Sequence, residues 1–130
     1  MNTPNTPAIA GRERVLVLES DHLIRTLILE WLEMAGKEAI GVADLADAGL
    51  TAGYGMVLAD VPAPHRAARL AVLHLKQALP GTPVIAMSAD ITASGDAARD
   101  TLARELGASA VLVKPFSQHA LLSALHRVHA

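Results

Sequence analysis

VLVLESD, Val15 to Asp21, decides the fold: four apolar residues suited to a strand are followed at once by three polar ones. The same form recurs in MVLAD (Met56 to Asp60), VIAMS (Val84 to Ser88) and AVLVK (Ala110 to Lys114). Short apolar runs bounded by turn signals read as strands. Helical stretches separate them, so the strands are expected to lie parallel in one sheet. Ligands of an open α/β sheet bind in the crevice beyond the carboxyl ends of its strands. Glu19, Asp21, Asp60, Ser88 and Lys114 should therefore meet at one edge. Carboxylates, a hydroxyl and an ammonium together can hold a divalent cation and accept a phosphoryl group.

Outward from these runs, the rest of the chain falls into alternating elements. The first strand is Val15 to Leu18, and a helix follows from about His22 to Ala35, with Ile24, Leu27, Ile28, Trp31 and Ala35 at core spacing. Ser20 or Asp21 can cap it and Gly36 ends it. A short strand, Ala39 to Val42, leads into ADLADAGL, which allows only a brief second helix. After the strand Met56 to Asp60, the prolines of DVPAP make a loop, and a third helix runs from about Arg66 to Leu79, stopping at Pro80-Gly81. Strand four is Pro83 to Met87, ADITASGD is loop, and a fourth helix covers Asp96 to Leu106 before Gly107. Strand five is Ala110 to Val113, and the last helix runs from Ser117 to about Val128. A β-α pair repeated in this way is the pattern of a doubly wound fold.

The bulk properties narrow the class. A chain of 130 residues is expected to be one domain, burying roughly 65–70% of its unfolded surface. Apolar residues are 52% and aromatics 2%, so the core must rest on Val, Ile, Leu and Ala. Net charge is −2, which argues against a nucleic-acid binder with a broad basic footprint. No cysteine is present, which excludes disulfides and thiolate metal sites. The six histidines show no ligand spacing. Residues 1–13, with the repeated Asn-Thr-Pro, read as a flexible tail before a domain at 14–130. Neither a secretory signal nor an apolar stretch near the about 20 residues of a membrane span is present. A soluble, cytoplasmic domain is expected, with no nucleic-acid or membrane partner.

A carboxylate attacks phosphorus only when the phosphoryl oxygens are neutralised and held in line. Each strand end here offers one part of that equipment. The same residues resemble the receiver domain of two-component response regulators, the family of the chemotaxis regulator, from about Arg14 to His129. Asp60 stands where the family has its phospho-accepting aspartate, with Pro64 in the loop behind it. Ser88-Ala89 matches the hydroxyl residue and its small neighbour, and Lys114-Pro115-Phe116, preceded by Gly107-Ala108, matches the lysine signature. Glu19-Ser20-Asp21 falls on the acidic group after strand one.

The resemblance implies a five-stranded parallel (βα)5 sandwich in flavodoxin-like order 2-1-3-4-5. It implies that Asp60 is phosphorylated, with Ser88 and Lys114 contacting the phosphoryl group. It assigns Mg2+ to Glu19, Asp60 and the backbone carbonyl of Pro62, with Ser20 or Asp21 as a further ligand. The implied donor is a histidine kinase or histidine phosphotransfer protein. An output protein, or a second copy of the chain, would use the face of the fourth helix, fifth strand and last helix.

Several positions depart from the family. Ser20 replaces the second adjacent carboxylate, Glu19 is one methylene longer than the usual aspartate, and the metal site is weakened accordingly. Val111 stands in place of the switch aromatic, and valine is stiff and small. Pro62 occupies a position that often tunes dephosphorylation, and Ala68 replaces a usual turn glycine. The Ser88-to-Lys114 separation is longer by about one helical turn, about 3.6 residues, which places extra chain in ADITAS. The reading is a signalling receiver, not an enzyme beyond its own phosphorylation and dephosphorylation, that switches partner binding on phosphorylation of Asp60. The alternative is a degenerate receiver serving as a phosphorylation-independent interaction or dimerisation module. An aspartate-based phosphatase is a third class, but 130 residues leave no room for a cap domain.

Overall fold

The apolar runs form the strands β1 (Val15–Leu18), β3 (Met56–Asp60), β4 (Val84–Ser88) and β5 (Ala110–Val113), with β2 at Ala39–Val42. The computed structural model describes residues 14–48, 53–89 and 95–129. The tail expected at 1–13 and most of the ADITAS loop lie outside these residues. The five strands form one parallel sheet in the order β2-β1-β3-β4-β5. Among the described residues the α-helices are α1 (His22–Met34), α2 (His65–Ala78), α3 (Asp96–Leu106) and α4 (Gln118–His129). The brief helix expected after β2 is a single 3-10 turn, Leu45–Asp47. The Asp44 side chain accepts from the Ala46 amide to start it, and extended backbone at Ala48 stops it. β4 begins at Val84, one position later than expected, because Pro83 has no amide to give the ladder.

The chain divides into two compact units, Met1–Val57 and Leu58–Ala130. In the first, every residue of β1 is buried, whereas β2 is half-buried throughout, as suits an edge strand. β1 and β2 run parallel with Val15 opposite Ala39 and Leu18 opposite Val42. Asp21 caps α1 through its side chain, and Gly36, at φ 78°, donates to the Glu33 carbonyl to end the helix. Gly41 matters for packing: a Cβ there would stand 2.7 Å from Leu29 Cδ1, so the glycine lets α1 lie close on β2.

The core face of α1 differs from the expected one. Ile28 and Leu32 are buried, while Ile24, Leu27 and Ala35 are exposed and Trp31 is half-buried. Leu23, Ile24, Leu27, Ile28, Leu29, Trp31, Leu32 and Met34 occupy more than half of this helix's circumference. Apolar periodicity therefore does not choose the inward phase, and contact with the sheet does.

In the second unit, β4 is buried along its whole length and pairs with β5, Ile85 opposite Ala110 and Ser88 opposite Val113. Ala68, Val72 and Leu75 of α2, Leu102, Ala103 and Leu106 of α3, and Leu121, Ala124 and Leu125 of α4 are buried as well. Each fully buried Leu, Ile or Val contributes about 1.5–3 kcal/mol relative to its exposed state. Gly107 takes φ 78° at the end of α3, where its amide caps helix carbonyls and the Lys76 ammonium donates to its own carbonyl at 3.2 Å.

Candidate functional site

The site in Leu58–Ala130 is assembled from strand ends. The Val61 amide donates to the Met87 carbonyl at 3.0 Å, and the Lys114 amide donates to the Ser88 carbonyl at 2.7 Å. These bonds carry the sheet ladder one residue past the strands and bring Asp60, Ser88 and Lys114 to the same edge. The Lys114 ammonium donates to Asp60 Oδ1 at 2.6 Å. Asp60 keeps 37% of its side chain open to solvent against 20% for Lys114. The carboxylate is thus both accessible and charge-compensated. Ser88, which ends β4, is 3% exposed. Pro62 is exposed, and Pro64 opens α2 immediately beyond the loop.

In Met1–Val57 the acidic loop follows directly on β1. Glu19 is 2% exposed, and its Oε2 accepts from the Asp21 amide at 3.1 Å. Asp21 Oδ1 accepts from the Ile24 amide at 3.0 Å, the N-cap bond that satisfies a first-turn donor. Ser20 is exposed. The sequence offered Asp21 both a capping and a metal-binding role, and one of its oxygens holds the capping role.

Arg25 carries no functional signature in the sequence pattern. Its Nη1 donates to the Glu19 carbonyl at 2.7 Å and its Nη2 meets His22 Nδ1 at 3.2 Å, so a guanidinium one turn into α1 braces the acidic loop. The available signal was only a cation four residues beyond the cap.

Magnesium takes oxygen ligands and strict octahedral geometry. Among the described residues, no group of three His, Asp or Glu side chains is placed to hold a metal ion. Asp60 retains a second carboxylate oxygen, whereas Glu19 Oε2 and Asp21 Oδ1 already accept backbone amides. Val111 is buried in β5. It lines a groove of about 550 Å³ along α3, β5 and α4, together with Arg99, Phe116 and His119. Among the described residues, no helix is long and apolar enough to cross a membrane.

No family model matches the chain. The response regulator protein FleR of Pseudomonas aeruginosa is 31% identical over 118 residues, covering 88% of this chain. The chain spans 24% of that relative's length. The structure of a CheY-like response regulator receiver domain from Methylobacillus flagellatus is 27% identical, with a TM-score of 0.68 over 89% of this chain and 98% of that one. The chemotaxis protein CheY4 of Vibrio cholerae is 25% identical, with a TM-score of 0.65 over 88% of this chain and 97% of that one. In its parallel order 2-1-3-4-5 and its polar strand ends, the chain shares the fold of these CheY-like response regulator receiver domains and is similar to them in sequence.

Proposed function

We propose that this receiver accepts a phosphoryl group on Asp60 from a histidine kinase or histidine phosphotransfer protein and thereby changes its affinity for an output protein. The observation that carries the reading is the Lys114 ammonium 2.6 Å from a solvent-open Asp60 carboxylate. An Asp60 oxygen attacks phosphorus of the phosphohistidine. The new O–P bond forms as the N–P bond breaks, and the departing imidazole nitrogen takes up a proton from water. Lys114 follows the charge onto the phosphoryl oxygens, which favours the transition state without further reorganisation. Ser88, at the adjoining strand end, supplies a hydroxyl donor.

Magnesium, when bound, adds positive charge that neutralises the phosphoryl oxygens. Asp60, the Pro62 carbonyl and Glu19 are the donors proposed for it. The groove lined by Val111 and Phe116 is the proposed output face, whether for another protein or for a second copy. Mass spectrometry after incubation with acetyl phosphate and magnesium tests the reading. One phosphoryl group per chain, lost in Asp60→Asn, is expected; an unchanged mass in the wild type would overturn it.

A second reading has an observation of its own. The Asp21 oxygen engaged in capping α1, together with Ser20 in the acidic loop, favours a receiver that binds partners without phosphorylation. In that case Asp60→Asn would leave partner capture unchanged.

A further inference from the structure

We infer that the groove between α2 and α3 is a docking site for an acidic amphipathic helix of a partner protein. The groove has a volume of about 500 Å³ and lies wholly within Leu58–Ala130. On α2, Arg66, Arg69, Leu70, Leu73 and Lys76 fall at helical spacing along one face, and Arg104 of α3 faces the same space. Leu70 is 60% exposed and Leu73 50%, whereas the inward side of α2 is served by Ala68, Val72 and Leu75. The two leucines are thus surplus to the core.

Charge selects the occupant. Four cations line the groove, against the single carboxylate of Glu105, in a chain whose net charge is −2. Glu105 is itself matched by His65, whose Nε2 stands 3.3 Å away. Lys76 is held by the Gly107 carbonyl and Arg104 by the Thr101 hydroxyl. Arg66 and Arg69, both exposed, make no ion pair among the described residues. Apolar anchors flanked by free guanidinium groups match a helix with leucine-like residues at i, i+3/i+4 and i+7 and carboxylates on its shoulders.

Other occupants fit less well. Phosphate backbones have no use for two half-exposed leucines between the arginines. A membrane takes up apolar residues from a convex face rather than a concave one. A second copy could offer the exposed Leu23, Leu27 and Met34 of its α1, near Glu30 and Glu33. That contact would be head-to-tail and would run on into filaments.

The inference uses the fold alone and does not depend on phosphorylation. Its test titrates the full chain with a synthetic glutamate-leucine peptide of that spacing, following backbone amide shifts by NMR. The scrambled isomer, a short DNA duplex and vesicles of mixed phosphatidylcholine and phosphatidylglycerol serve as the comparison probes. The patterned peptide is expected to shift amides of α2 and α3 and to bind at least about tenfold more tightly than its scrambled isomer. Leu70→Ser with Leu73→Ser, and separately Arg66→Glu with Arg69→Glu, should each weaken it by about tenfold or more. All four positions are exposed, so the variants should keep wild-type circular dichroism and phosphoryl acceptance. Equal binding of the scrambled isomer, or shifts outside α2 and α3, would overturn the inference. So would leucine-dependent binding of vesicles or duplex in place of the peptide, or self-association that the leucine variants abolish.

Discussion

The Lys114 ammonium stands 2.6 Å from the Asp60 carboxylate, and the proposed phosphoryl transfer draws on that pair. Lys114→Ala should slow phosphorylation by acetyl phosphate by about tenfold or more, ~1.4 kcal/mol of transition-state stabilisation. Stopped-time mass spectrometry reads the rate, and an unchanged rate would mean that the pair is only structural. In the other unit, Asp21→Ala should cost about 1 kcal/mol in urea denaturation by removing the α1 cap, while Asp21→Ser should keep most of it. Asp60, Ser88 and Lys114 were legible from sequence because each ends an apolar run, and a parallel sheet lines such ends up. Arg25 was not legible: its bond to the Glu19 carbonyl depends on how α1 leaves the loop, which no residue pattern encodes.

Elements differ in how far their pattern determines their placement. β1 is apolar throughout, and β4 is apolar up to its last residue, Ser88, so the burial of these strands follows from composition. α1 is another matter, since its apolar residues exceed what one face can hold. Leu32→Ala should destabilise the chain by about 2–5 kcal/mol, whereas Leu27→Ala should stay below about 1 kcal/mol. Chemical denaturation of both variants checks the phase of the helix, and equal losses would contradict it. Helix ends were read closely because their signals are local. Asp21, Gly36 and Gly107 act through their own backbone or through a neighbour three residues away. The 3-10 turn at Leu45–Asp47 was only half-legible, as ADLADAGL is helical by propensity but too short to nucleate a regular helix.

At the scale of the molecule, alternation of strand and helix sufficed to anticipate a parallel, doubly wound sheet, whereas the strand order was anticipated from the family resemblance. The proposed function was less legible, since Ser20 and Val111 stand at the two positions to which the resemblance assigns metal binding and switching. Partner capture is the measurement that separates the readings. If phosphorylation governs output, acetyl phosphate should change capture by the wild type by about tenfold and leave Asp60→Asn unaffected.

The scarcity of aromatic side chains has a further consequence, for spectroscopy. The chain's one tryptophan, Trp31, and its one tyrosine, Tyr54, with the Arg14 guanidinium 5.2 Å over its ring, both lie in Met1–Val57. Emission during a denaturant titration therefore reports the environment of residues 14–57, while the stretch that carries Asp60, Ser88 and Lys114 has no fluorophore beyond Phe116. Far-ultraviolet ellipticity samples the backbone of every helix. Overlaying the two curves measures cooperativity without any introduced label: coincidence marks a single transition, and separation marks an intermediate.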